Sequence, residues 1–163
     1  MILPDLLKEN LDIVFCDTAA GYKSAQRKAY YAGTGNLFYP TLAKCSLILR
    51  IVKPEEYSEL LKYKIGLTDL IKHHLGMDID LKEEFYDTGS FEKKIKKYQP
   101  KLLCFNGKEA AKVYFKLKST TQVSYGLQEA KIGKTKLYVA PSTSLNARGY
   151  WDENIWQSIK KYI

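Results

Sequence analysis

Apolar residues fall along this chain in short continuous runs, with amphipathic segments between them. Leu11-Asp12-Ile13-Val14-Phe15-Cys16 and Lys101–Phe105 read as buried strands, being too short for helices and bounded by turn residues. The first strand ends at Asp17-Thr18-Ala19-Ala20-Gly21, whose small residues suit a tight turn, and a polar, aromatic loop runs from Tyr22 to Gly35. Asn36 is placed to cap a short helix over Leu37–Lys44. Pro54-Glu55-Glu56 opens a second helix to about Tyr63, with acids at its positive end. Ile65-Gly66-Leu67-Thr68-Asp69-Leu70 follows. Ser90 can cap a helix over Phe91–Tyr98, with Lys93, Lys94, Lys96 and Lys97 mostly facing water. Asn106-Gly107-Lys108 turns into a helix over Glu109–Leu117. Lys131–Val139 reads as a hairpin turning at Gly133-Lys134, and Trp151–Tyr162 as a closing amphipathic helix.

Strands that alternate with helices predict an α/β fold: a three-layer αβα sandwich around a mainly parallel central sheet. No linker, repeat or low-complexity stretch divides the 163 residues, so a single domain over 1–163 is expected. Parallel sheets bind ligands beyond the carboxyl ends of their strands. Two segments qualify, Asp17–Gly35 and Ala140–Gly149, both rich in small and polar residues.

Composition narrows the chemistry. Hydrophobic residues make up 45% and charged residues 27%, and the longest apolar runs are too short to span a bilayer. No membrane partner is expected, and without a visible signal peptide the cytoplasm is the expected compartment. Cys16, Cys45 and Cys104 are scattered without paired spacing, and His73-His74 stands apart from them, so no metal site or cofactor is implied. Neither GxGxxG nor GxxxxGK[ST] occurs, which counts against a nucleotide-binding enzyme. A net charge of +8 favours a polyanionic partner, and some of the 13 tyrosines lie on loop-like stretches where rings can stack on bases.

The two loops carry a resemblance. Val14-Phe15-Cys16-Asp17-Thr18-Ala19-Ala20-Gly21, with Ser24-Ala25 after it, resembles the first motif of the mismatch-specific uracil/thymine-DNA glycosylases. Those enzymes have Cys-Gly-Ile-Asn-Pro-Gly there, followed by Ser-Ser-Ala. Asn36-Leu37-Phe38-Tyr39 is similar to their Asn-Arg-Phe-Trp, and Tyr63-Lys64-Ile65-Gly66-Leu67-Thr68 to an internal Tyr-x-x-Gly-Val-Thr. Val139-Ala140-Pro141-Ser142 resembles their second motif, Leu-Pro-Asn-Pro-Ser-Gly. The likeness spans nearly the whole chain. It implies the fold of the uracil-DNA glycosylase superfamily, a monomer, and DNA carrying uracil or another deaminated base as partner. The implied reaction is base excision by N-glycosidic hydrolysis after base flipping.

Carried over position by position, Tyr31 matches the phenylalanine that stacks on the base, with Tyr30, Thr18 and Ala19 beside it. Asn36 matches the Asn opening the next helix, and Ser142 the serine of the second motif. Thr143, Ser144 and Leu145 fall on the loop that wedges into the duplex, with Asn146 and Arg148 behind them and Ser24 on the other side. The pattern breaks at two places. The Asn that positions the attacking water falls on Ala19, and the second-motif Asn on Ala140. Another polar group must then do the work. Asp17 is the nearest, sharing a strand face with Ala19, and Asp69 and Asn36 follow. Asp17 has a second reading, as a cap on the turn's own amides. Tyr31 can equally pack as a loop residue, and Arg148 can equally form an ion pair within the protein instead of meeting a phosphate. The leading expectation is a monofunctional DNA glycosylase. The alternative is a weak or inactive relative that binds damaged or abasic DNA.

Overall fold

The computed structural model describes residues 1–76 and 82–163. Five strands form one sheet in the order β2-β1-β3-β5-β4. They are β1 (Ile13–Ala19), β2 (Ile65–Ile71), β3 (Leu102–Asn106), β4 (Gly126–Ile132) and β5 (Thr135–Ala140). β1 is parallel to β2 and β3, and β3 to β5; only β4 is antiparallel, as the hairpin partner of β5. Alternate residues of the central strands enter two separate cores. Ile13, Phe15, Cys104 and Tyr138 pack with Phe38 and Leu42 of α2 (Phe38–Lys44) and Trp156 of α5 (Glu153–Gln157). Val14, Cys16, Phe105 and Val139 pack with Phe91 and Ile95 of α3 (Thr88–Tyr98) and Ala110 and Ala111 of α4 (Lys108–Phe115). This is the three-layer αβα sandwich, with helices on both faces.

The first core is an aromatic stack. Phe15, fully buried, meets Phe38 edge-on at 5.1 Å and lies nearly parallel to Trp156 at 5.4 Å. Burying each such ring contributes about 1.5–3 kcal/mol. The Trp156 Nε1–H donates to the Pro141 carbonyl at 2.9 Å, so α5 braces the loop that leaves β5. The N-terminal segment covers the free edge of β2, with Leu6 and Leu67 exchanging backbone hydrogen bonds of 2.9 Å. That approach requires Gly66, where a Cβ would stand 2.6 Å from the Leu6 carbonyl oxygen.

Several elements differ from their sequence pattern. β1 continues through Thr18 and Ala19 instead of turning at Asp17, because Asp17 and Ala19 still pair with Asp69 and Ile71 of β2. The expected loop 22–35 begins with a short helix, α1 (Tyr22–Arg27); its N-cap is Gly21, so no side-chain cap marks it in the sequence. Pro54–Tyr63 is 3-10 helix, with non-helical backbone at Glu56, whose carboxylate accepts from the Lys53 amide at 3.2 Å and tightens the first turn. α3 starts three residues earlier than expected, capped by Asp87, whose Oδ1 accepts from the Ser90 amide at 3.1 Å; Ser90 is therefore inside the helix. Lys94 of that helix turns inward to Asp5, while Lys93, Lys96 and Lys97 are exposed. The hairpin begins at Gly126 and not Lys131, the pairing of Leu127 with Tyr138 extending it past a register shift. The closing helix splits into α5 and a 3-10 segment, Ser158–Tyr162, after the Asp152 cap.

Candidate functional site

Parallel register brings chemistry to one edge of the sheet. Asp17, two residues before the end of β1, lies opposite Asp69 of β2, and Asn106 at the end of β3 lies opposite Ala140 of β5. Beyond these ends opens a cleft of about 860 Å³ whose lining includes Asp17, Ala19, Tyr31, Asn36, Asp69 and Asn106. Tyr22, Leu145 and Tyr150 stand exposed among its lining residues. A smaller hollow of about 580 Å³, around Tyr86–Gly89, Val113 and Lys116, shares no residue with it.

The three candidate carboxylate and amide groups differ in environment. Asp17 is half-buried, and its Oδ1 accepts from the Thr18 amide at 2.8 Å. Asp69 is 3% exposed. Burial pushes its carboxyl up to about 7; Lys72, with Nζ 3.8 Å from Oδ2, pulls the other way, and Asp5 pushes it up further. Lys72 serves Asp69 weakly because it is engaged elsewhere, 2.9 Å from Asp5 and donating to the Tyr30 hydroxyl at 3.0 Å. Asp5 also holds Lys94 at 2.9 Å and accepts from the Thr68 hydroxyl at 2.7 Å. Burial alone would raise the Asp5 carboxyl, but the two lysines and Thr68 together hold it below its ordinary value. Asn36 accepts from the Phe38 amide at 2.9 Å, which fixes the entry to α2 from the first loop.

Asp69 gives a signed pH dependence. Its folded pKa, about 7, lies above its ordinary value of 3.8. Its stabilising share is therefore fully present below about pH 3.8 and lost as pH rises through about 7. Asp69→Asn is expected to be close to wild type near pH 3.5 and to gain on it as pH rises towards 7, ending more stable than wild type at pH 8.5 by up to a few kcal/mol on the order set by the shift. Urea melts of both proteins at the two pH values check this; a gap that does not widen with pH would assign the carboxylate a different environment.

The remaining site residues sort by exposure. Tyr31 sits in left-handed backbone at φ +56° and is 8% exposed, its ring stacked on Phe38 at 3.9 Å. Its hydroxyl is buried with no well-formed hydrogen bond. Burial first, then the charges of Asp17 and Asp69, keep that phenol protonated well above its ordinary range, while Asn106 opposes them. Tyr30 packs into the core, its hydroxyl donating to the Pro4 carbonyl at 3.0 Å. Thr18 is buried outside the cleft lining. Ser24 is buried and accepts from the Ala32 amide at 3.1 Å, folding the first loop back on α1.

In the second loop, Thr143 is wholly buried and doubly tied to Asn106: its amide donates to Oδ1 at 3.0 Å, and its hydroxyl accepts from Nδ2 at 2.9 Å. Ser142 accepts from the Ser144 amide at 3.2 Å and lies close against Gly107, where a Cβ would come within 3.0 Å of it. Ser144 caps the 3-10 turn Leu145–Tyr150, accepting from the Asn146 amide at 3.3 Å. Asn146 and Arg148 are exposed, and Arg148 Nη2 donates to the Gly35 carbonyl at 2.5 Å. Leu37 donates to the Thr143 carbonyl at 2.9 Å, a second tie between the two loops.

In the sequence Asn106 reads only as part of a turn. It ends a buried apolar run, the same feature that singled out the other two loops. Lys108, in the same turn, has its Nζ 4.4 Å from the Tyr125 ring centroid beside the cleft. All three cysteines are buried and free. Among the described residues no group of His, Cys, Asp or Glu is arranged to hold a metal ion, and no helix is long and apolar enough to cross a membrane.

The family model of the Uracil DNA glycosylase superfamily matches residues 4–160. Among solved structures, the chain is similar to a solution NMR structure of a Methanosarcina acetivorans protein provisionally assigned as a uracil DNA glycosylase. The TM-score is 0.66 at 22% identity, over 96% of this chain and 92% of that one. At that identity the likeness is one of fold.

Proposed function

Because the chain belongs to the uracil DNA glycosylase superfamily, we propose that it is a monofunctional DNA glycosylase that removes a deaminated base, uracil first, from DNA. One observation carries the reading: Asp17, Asn36 and Asp69 converge with the Tyr31 ring on a single cleft at the strand ends. In this proposal the damaged nucleotide leaves the duplex, and its base enters the cleft against Tyr31. Leu145, exposed on the second loop, fills the space left behind. Asp17 accepts a hydrogen bond from a water and directs its oxygen at C1′. The C1′–N bond breaks with its electron pair leaving on the base, and the water proton passes to solvent or to the departing base. A carboxylate at Asp17 also favours the positive charge that develops on the sugar, an electrostatic gain that needs no reorganisation at the moment of reaction.

Around the cleft, Lys23 and Lys108 supply cationic groups for phosphates, and the net charge of +8 favours the duplex as a whole. Ser142, Ser144, Asn146 and Arg148 present the second loop to the backbone, while Thr143 supports it from inside. A second reading, binding of damaged or abasic DNA with little or no cleavage, is favoured by Ala19 and Ala140 and by the contact that already engages Asp17 with Thr18.

A glycosylase assay on uracil, hypoxanthine, xanthine and thymine, each opposite guanine, tests the proposal. Alkali-labile strand breaks at uracil are the expected result. No cleavage of any of them, with binding to abasic duplex that weakens log-linearly with salt, selects the second reading.

A further inference from the structure

We infer that the tip of the β4–β5 hairpin, with the end of α3 beside it, is a second surface for duplex DNA, at the opposite end of the sheet from the cleft. The inference rests on the proposed function for the DNA at the cleft, and on separate observations for the DNA at the tip. Strand direction sets the two places apart. The cleft opens at the carboxyl end of β5, whereas the hairpin turns at its amino end. The six residues of β5 keep them about 17 Å apart, at about 3.3 Å per residue. Six lysines surround the tip, and none of them lines the cleft. Lys131, Lys134 and Lys136 come from the hairpin itself, with Lys131 opposite Lys136. Lys101 lies alongside, its carbonyl accepting from the Lys136 amide at 3.1 Å. Lys96 and Lys97 arrive from α3, which packs so near that a Cβ at Gly133 would stand 3.7 Å from the Lys96 side chain. All but Lys136 are exposed.

Like charges gathered in one place repel one another, most of all at low ionic strength. Counter-charge within the chain is sparse here. Asp12 pairs with Lys101 at 3.0 Å, and Glu129 lies exposed two residues before Lys131. Lys96, Lys97, Lys131 and Lys134 are in no ion pair among the described residues. The chemistry of the surface selects its partner. Lysine is a point charge on a flexible stem, suited to phosphates whatever the sequence. It is depleted from protein interfaces, which are anchored by aromatic and Arg side chains. The tip has no Arg and none of the large apolar side chains that the described residues leave exposed. An anionic bilayer is gripped by apolar side chains sinking between its headgroups as well as by charge, and those are missing here. A duplex needs only the cations, because it presents one negative charge per about 1.7 Å of its axis. A protein that grips a second segment while still on the first can pass between them without entering free solution.

Energy transfer between two labelled duplexes tests the surface. One carries the donor and a tetrahydrofuran abasic analogue for the cleft; the other carries the acceptor and is undamaged. In low salt wild type is expected to bring the two together, with the transfer lost as salt rises. The variant that combines Lys96→Gln, Lys97→Gln, Lys131→Gln and Lys134→Gln is expected to melt at the wild-type temperature, since exposed, unpaired lysines contribute little to stability. It is expected to keep the preference for abasic over undamaged duplex and to give no transfer. Its affinity for undamaged duplex, read by anisotropy, is expected to depend less steeply on salt. The log–log slope should shrink by up to about 3.6, at about 0.9 for each of four lost phosphate contacts. Transfer that persists in the variant, or its absence from wild type that prefers abasic to undamaged duplex, would overturn the inference. So would tighter binding of wild type to phosphatidylserine vesicles than to undamaged duplex at the same salt. If wild type binds abasic duplex no better than undamaged duplex and the variant binds neither, the cleft holds no DNA and the proposed function falls, while the tip stands as a DNA surface.

Discussion

Asp17→Asn is expected to slow single-turnover cleavage of uracil-containing duplex by about 100-fold or more, the usual loss when an acid–base contribution disappears, with binding to abasic duplex near wild type. The substitution is nearly isosteric. Its side-chain oxygen can still accept from the Thr18 amide, so the end of β1 keeps its local bond. What goes is the charge that, in the proposed reaction, favours water polarisation and the oxocarbenium-like sugar. Asp17 and Ala19 both line the cleft. Adding Ala19→Asn to Asp17→Asn is therefore expected to restore part of the rate by returning a polar side chain to the neighbouring position. Unimpaired cleavage by folded Asp17→Asn would reject the assignment and move attention to Asp69 and Asn36.

Asn106→Ala has the largest expected effect on stability. Its side chain makes two hydrogen bonds to Thr143, both in a fully buried setting. Truncation leaves the Thr143 amide and hydroxyl unsatisfied, each at a cost of about 1–3 kcal/mol. A total loss on the order of 3 kcal/mol is expected in urea denaturation, a large share of a typical domain's stability. Thr143→Val loses only the hydroxyl bond and is expected to cost less than half as much. Cleavage by Asn106→Ala, measured where the variant is still folded, is expected to fall as well, because Asn106 fixes the loop that carries Ser142, Ser144 and Leu145. A variant as stable as wild type would mean that the loop is held by α5 and the Trp156–Pro141 bond instead.

The layers of the fold were legible because their residues are apolar in runs: Ile13–Cys16 and Leu102–Phe105 are buried on both faces and read as little else. β4 was half-hidden, since most of Gly126–Lys131 is exposed and its pattern lacks an apolar stripe. α1 was missed for want of a capping side chain, and nothing in the local pattern of Pro54–Tyr63 separates 3-10 from α-helix. At the site, strand ends pointed to Asp17 and to the loop after β5. Local pattern does not reveal partnerships across the chain. Asp5, Lys72 and Lys94 come from three separate segments, and only their meeting explains why Lys72 stands closer to Asp5 than to Asp69.

The ties between the two loops also set an order of events in folding. Arg148 and Gly35 are 113 residues apart, yet their bond closes the rim of the cleft, and Leu37 and Thr143 close it a second time. Such distant partners meet only after the intervening chain has been organised, because loop-closure entropy opposes them until then. The intermediary is β3, which stands between β1 and β5 and carries both into place. The sheet can therefore begin to form from its first three strands, while the cleft waits for β5. Without β5 the molecule would lack Tyr138 and Val139 from its two cores and the second wall of the cleft together.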